Sequence, residues 1–319
     1  MKKTAFIFPG QGSQFVGMGK DFYNNFSVAK KVYDKADSVL GRKISSVCFE
    51  STEDELRKTI NTQPAIVTTS IAILETLKQY GIKADYTAGH SLGEYCAMYN
   101  AGVMNLEDTL ISIQKRAELM NTVNCGSMTA VLNASEEQLK MGLAEGRKVG
   151  YLDIANYNSP TQVVITGDNE AVKAAGDYML ANGVKRVVPL AVSGAFHSKY
   201  VKNAGEEFKE FIKNIKLNNA QIPVITNVDA ETTTMAEDFR DKMPRQIYSS
   251  VHWTQTIQRM ASDGVDTFVE IGPGKVLTNL NKRIAPNAFA YSINNTESLQ
   301  STINALKTQM SEELYQNCK

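Results

Sequence analysis

Ser91 stands in the run Gly89-His90-Ser91-Leu92-Gly93, which satisfies the pattern G-x-S-x-G. Chemistry at such a serine needs a sharp strand-to-helix turn. The turn lifts Oγ out of a sheet, the glycines relieve clashes, and the next N–H can stabilise an oxyanion. A bland Gly-rich turn with a solvated serine would show the same letters, so the flanking elements decide. A serine nucleophile also needs a base. There are three histidines, His90, His197 and His252. His90 adjoins the serine, and neighbouring side chains on a turn diverge, so it is expected to support the turn. His252 precedes Trp253 in a loop. His197, in Ser193-Gly194-Ala195-Phe196-His197-Ser198, follows the serine in the chain order used by hydrolase-type sheets. It is the expected base, although a loop histidine is ordinarily structural.

Rival chemistries fail on spacing. A dinucleotide fingerprint from Gly10 requires glycine where Phe15 stands, and a phosphate-binding loop ending at Gly274-Lys275 meets Val269 and Val276 instead. No histidine pair has zinc spacing, and Cys48, Cys96, Cys125 and Cys318 form no C-x-x-C pair. No metal and no cofactor are expected. Met18, Met120, Cys96 and Trp253 invite roles in the site, but core packing is the expected fate of each.

The elements around the serine suit the turn. Residues 85–88 read as a strand and 94–100 as a helix. Asn105 is placed to cap the next helix, whose apolar residues Leu106, Leu110, Ile113, Ala117 and Met120 step by 4, 3, 4 and 3. Residues 5–8 read as a strand that runs into Pro9-Gly10-Gln11-Gly12, and Pro64 is expected in the first turn of a helix. From Ser127 the texture changes to strand, helix, strand, strand, helix, strand, the order of a ferredoxin-like unit, with Asn158-Ser159-Pro160 joining its middle strands. Strand texture resumes at 223–226 and 267–271. The fold class expected is α/β: a hydrolase-like core with a parallel sheet, built from 1–125 and 192–319, plus an inserted ferredoxin-like α+β subdomain at 126–191.

Composition bounds the partners. Among 319 residues, 34 Lys and Arg balance 34 Asp and Glu. A nucleic-acid binder ordinarily carries a basic excess, so nucleic acid is not an expected partner. Nothing approaches a membrane-spanning apolar run, and the stretch at 5–8 is too short for a signal-peptide core. A cytoplasmic enzyme with free thiols is expected, with no membrane partner.

Several runs, taken together, resemble the malonyl-CoA:acyl carrier protein transacylases. They are Phe8-Pro9-Gly10-Gln11-Gly12-Ser13-Gln14 with Gly17-Met18-Gly19, Thr62-Gln63-Pro64-Ala65, Gly89-His90-Ser91-Leu92-Gly93-Glu94 and Gln114-Lys115-Arg116. Asn156-Tyr157-Asn158-Ser159-Pro160, Gly194-Ala195-Phe196-His197-Ser198 and Glu270-Ile271-Gly272-Pro273-Gly274 complete the set. They occur in family order over residues 4–285.

The resemblance implies ping-pong transfer of malonyl from malonyl-CoA to the phosphopantetheine thiol of acyl carrier protein, in fatty acid biosynthesis. Ser91 would carry the malonyl group and His197 its proton. The N–H groups of Gln11 and Leu92 would form the oxyanion hole, and Gln63, Asn158 and Phe196 would contact substrate. The resemblance further implies that a backbone carbonyl, here that of His252, orients the catalytic histidine. Arg116 would hold the malonyl carboxylate bidentately. It lies roughly 80° from the centre of the apolar stripe, at its rim. Leu92 and Phe196 resemble malonyl-selective members.

A monomer is expected, met by an acidic carrier at some of Lys185, Arg186, Lys199, Lys275, Lys282 and Arg283. A serine esterase or thioesterase would share Ser91 and His197 but have no use for Arg116. An acyltransferase serving a polyketide carrier protein would show the same residues. A non-catalytic acyl-binding module would keep the pocket, but the intact Ser91, His197, Arg116 and Gln11 argue against it.

Overall fold

The computed structural model describes residues 2–317; Cys318 lies outside them. Its elements form an α/β fold with two sheets. The larger has six strands in the order β10-β9-β1-β2-β7-β8. These are β1 (Lys3–Phe8), β2 (Tyr86–Gly89), β7 (Val224–Ile225), β8 (Thr232–Thr233), β9 (Val265–Ile271) and β10 (Phe289–Ile293). All neighbours run parallel except β7 and β8. The smaller sheet is antiparallel in the order β4-β5-β3-β6, from β3 (Ser127–Leu132), β4 (Leu152–Ser159), β5 (Gln162–Gly167) and β6 (Arg186–Pro189). Helices Glu136–Arg147 and Asn169–Ala181 cover it.

Strand β1 shows why the large sheet is central. Phe6 and Phe8 enter one hydrophobic core and Ala5 and Ile7 another, on the opposite face. Alternation by two sends successive side chains to opposite faces, and here both faces are buried. Phe8 pairs with Gly89, so β1 and β2 end side by side. Their carboxyl ends bring the Gly10–Gln11 turn against the His90–Leu92 turn, the usual place for a site in a parallel sheet.

Two local expectations are corrected. Pro64 lies well inside the helix Thr59–Lys78 rather than in its first turn. Proline has no N–H to give the carbonyl four residues back. That carbonyl, Ile60 O, instead accepts from Arg42 Nη2 at 2.7 Å. Strand β4 runs on through Asn158-Ser159, so Pro160 and Thr161 make the turn. Register shifts between Ile154 and Asn156, and between Tyr157 and Ser159, let it pair across that polar stretch. Strands β8 and β10 carried no signal of their own in the sequence. Met18, Met120, Cys96 and Trp253 are all buried. Among the described residues no helix is long and apolar enough to cross a membrane.

Candidate active site

The turn after β2 delivers Ser91 with φ at +52°, and the helix Gly93–Asn100 begins immediately. A non-glycine residue in the left-handed region costs on the order of 1–3 kcal/mol and persists only where its surroundings impose it. Two glycines make the turn possible. A Cβ at Gly93 would sit 2.2 Å from Phe8 O, and one at Gly89 would sit 1.9 Å from Gly93 C. The helix therefore starts in direct contact with the end of β1.

Ser91 Oγ donates to His197 Nε2 at 2.9 Å. His197 also has φ at +52°. Its loop is held from the small sheet, where Thr166 Oγ1 donates to Phe196 O at 3.0 Å. His197 Nδ1 faces two carbonyls, Gln246 O at 3.1 Å and Ser249 O at 3.0 Å. Two acceptors there keep the proton on Nδ1 and leave Nε2 free to take one.

The orienting carbonyl is therefore not that of His252. Gln246 lies in the last turn of the helix Ala236–Tyr248, and Ser249 caps it. The final carbonyls of a helix lack intrahelical partners and carry the negative end of its dipole. They suit a histidine that must become an imidazolium. His252 instead stacks on Tyr157, with ring centroids 5.1 Å apart, and its N–H donates to Asn227 O at 3.0 Å.

Arg116, on the helix Leu106–Asn121, is 1% exposed, deeper than a position at the rim of the stripe suggests. Its Nη1 donates to Gln63 Oε1 at 2.6 Å, and its Nη2 donates to Gln246 Oε1 and Ser91 Oγ, each at 3.0 Å. Its Nε, also buried, has no partner. The hydrogen-bond acceptors around this guanidinium are all neutral. Glu94 is near enough to act on it electrostatically, but burial pushes that carboxyl up to about 8, so it is protonated at neutral pH. Burial lowers Arg116 from the ordinary arginine range, where it remains a cation. Burial also draws His197 down to about 3, aided first by the charge of Arg116 and then by repulsion from His90 wherever that ring is protonated, so the His197 imidazole is neutral.

A cleft of about 370 Å³ opens over these groups, lined by Gln11, His90, Ser91, Leu92, Arg116 and His197, with Met120, Met128 and Phe196 on its apolar wall. Neither the Gln11 N–H nor the Leu92 N–H has a hydrogen-bond partner among the described residues. Two residues expected at the substrate stand behind it. Gln63 backs Arg116, and Asn158 Oδ1 lies 2.8 Å from His90 Nε2. In that position Asn158 fixes the histidine ring packed under Gly10, where a Cβ would meet His90 Nδ1 at 2.9 Å. None of the six basic residues expected to meet the carrier lines the cleft, whereas Arg57 does. Gln246 and Asn227 are buried organisers that no sequence pattern disclosed.

This arrangement can perform acyl transfer through a serine ester, with a cation set to hold an acid group. Comparisons with known proteins point to acyl transfer. Residues 5–302 match the family described as the acyl transferase domain. The malonyl CoA-acyl carrier protein transacylase of Bacillus subtilis (strain 168) is 43% identical over 311 residues, covering 96% of this chain and 98% of its own. The polyketide biosynthesis malonyl CoA-acyl carrier protein transacylase PksC of the same organism is 41% identical over 287 residues, covering 89% and 98%. A malonyl-transacylase solved in complex with its type II polyketide acyl carrier protein superposes with a TM-score of 0.92. It shares 37% identity, and the match covers 95% of this chain and all of that one.

Proposed function

The chain belongs to the acyl transferase family as a malonyl-CoA:acyl carrier protein transacylase, and we propose that Ser91, His197 and Arg116 carry its reaction. The enzyme moves malonyl from malonyl-CoA to acyl carrier protein. In the mechanism proposed, Ser91 Oγ attacks the thioester carbon while its proton passes to His197 Nε2. The oxyanion is held by the N–H groups of Gln11 and Leu92. The C–S bond breaks, and His197 returns the proton to the departing CoA sulfur. The carrier's phosphopantetheine thiol then gives its proton to His197 and attacks the malonyl-serine ester. The C–O bond breaks, and Ser91 Oγ recovers the proton.

The observation that carries this reading is the buried guanidinium of Arg116, 3.0 Å from Ser91 Oγ and surrounded by neutral acceptors. An esterase for neutral acyl groups would bury that charge for nothing. A malonyl carboxylate supplies the missing anion. Phe196 on the cleft wall crowds the α-carbon and disfavours a branched donor, although a single methyl is worth only about 1–3 kcal/mol.

The reading extends to a monomeric, cytoplasmic enzyme of fatty acid synthesis that uses no cofactor, the CoA thioester being a substrate. The test is a donor panel of malonyl-, methylmalonyl- and acetyl-CoA, with carrier protein and with detection of the acyl adduct on Ser91. Stable malonyl-Ser91 that discharges onto the carrier supports the reading. Rapid hydrolysis without transfer, or absence of the adduct, overturns it.

A further inference from the structure

We propose that Asn227 is a positioning residue that imposes the strained nucleophile turn and so sets the rate of serine acylation. The proposal rests on the reading of Ser91 as nucleophile. Asn227 follows β7, the strand beside β2, and is fully buried. Its side chain brackets the turn from both sides. The Ser91 N–H donates to Asn227 Oδ1 at 2.7 Å, and Asn227 Nδ2 donates to Gly89 O at 2.7 Å. One amide thus satisfies a donor and an acceptor two residues apart and fixes the two peptide planes that lead into the φ that places Oγ. An ionised aspartate, of the same length, would offer acceptors alone.

Asn227 is itself fixed at the backbone. Its N–H donates to Glu94 Oε2 at 2.6 Å, and its carbonyl accepts from the His252 N–H at 3.0 Å. Gln246 completes the frame, with Nε2 donating to Ser91 O at 2.7 Å and to Asn227 Oδ1 at 3.4 Å. Ser91 therefore has its N–H and its carbonyl held by two buried amides, while its hydroxyl remains in the cleft. The Ser91 N–H is committed to Asn227, so the oxyanion site falls to Leu92 and Gln11.

Asn227 does not line the cleft, and this separates it from a binding role. In single-turnover reactions of the full chain with malonyl-CoA, read as malonyl-Ser91 by peptide mass, Asn227→Ala should slow acylation by about 100-fold. KM for malonyl-CoA should stay within about twofold of wild type. Glu94→Ala reaches the same bracket from behind. It should give a smaller loss, about tenfold, with the same split between kcat and KM. If Asn227→Ala does not fold, Glu94→Ala decides. Acylation within about threefold of wild type in the folded variants, or a loss carried by KM with the chemical step intact, overturns the proposal. An absent adduct in the wild-type enzyme would instead overturn Ser91 as nucleophile.

Discussion

Arg116 and Ser91 are directly bonded: the guanidinium Nη2 donates to the serine Oγ at 3.0 Å. In the mechanism proposed, the group that selects the substrate therefore sits on the atom that reacts with it. A carboxylate bound to Arg116 is fixed within a few ångströms of the bond to be broken. Arg116→Ala should lower kcat/KM for malonyl-CoA by about 10²–10³-fold, while acetyl-CoA changes by less than about tenfold. Arg116→Lys should fall between, since an ammonium is a point charge rather than a fork. Equal losses for both donors would contradict the carboxylate clamp.

The pH profiles should separate. His197 is drawn down to about 3, first by burial, then by Arg116 and by His90. The free enzyme therefore keeps a neutral base at every pH above that value, and the acid limb of kcat/KM should lie well below the ordinary histidine range. A bound malonyl carboxylate offsets the charge of Arg116 and raises the pKa of His197 in the complex. The acid limb of single-turnover kcat should then lie at higher pH than that of kcat/KM. Coincident limbs would refute this.

Glu94 should shape stability in the opposite sense. Burial raises its carboxyl from 4.5 to about 8, so across that window the folded chain keeps a proton that the unfolded chain has released. Its contribution is fully present below 4.5 and is lost as pH rises through about 8. Glu94→Gln removes the titration. Calorimetry should show the Tm of the variant gaining on wild type as pH rises from 5 to 8, by about 1.5 °C for each kcal/mol. A constant difference across that range would contradict the assignment.

Arg42 and Pro64 should be coupled. Arg42→Ala leaves Ile60 O without its donor, at about 1–3 kcal/mol. Adding Pro64→Ala restores a helical N–H four residues on and should recover part of that loss. A double-mutant cycle by denaturant unfolding measures the coupling. Strict additivity would show that the guanidinium does not stand in for the missing N–H.

Gly93→Ala tests the contact between the helix and β1. Its methyl would lie 2.2 Å from Phe8 O, inside any tolerable distance. The variant should be folded poorly or acylated at Ser91 at least about 100-fold more slowly. Wild-type acylation would mean that the turn can open without loss.

What the sequence disclosed follows the range of the signal. Ser91, Leu92 and Gln11 belong to short local patterns, and the strands that align them end at those patterns. Arg116 is legible through the Gln114-Lys115-Arg116 run, whereas the helical period alone set it at the rim of the stripe, shallower than the structure does. Gln246 and Asn227 are ordinary amides in segments without a pattern, and only tertiary packing gives them roles. His252 was the wrong carbonyl for a related reason. A loop position is matched by its neighbourhood in the chain, whereas the acceptors come from a helix end that only folding brings to His197. Asn158 and Gln63 were expected at the substrate but stand behind the cleft, on His90 and Arg116, because sequence shows proximity without depth. Strand β10 is short and mostly half-buried, so it showed no clear alternation.

The helix end that faces His197 has one more consequence. A carboxylate in that place would put a permanent anion beside a site that must admit another. Main-chain oxygens orient the imidazole while adding no full charge. With Glu94 protonated and His197 neutral, the charged group in contact with the nucleophile is Arg116, and in the reading proposed its counterion arrives as the cargo. The acyl-enzyme is thus the electroneutral state, which gives the malonyl group a reason to stay until the carrier thiol removes it.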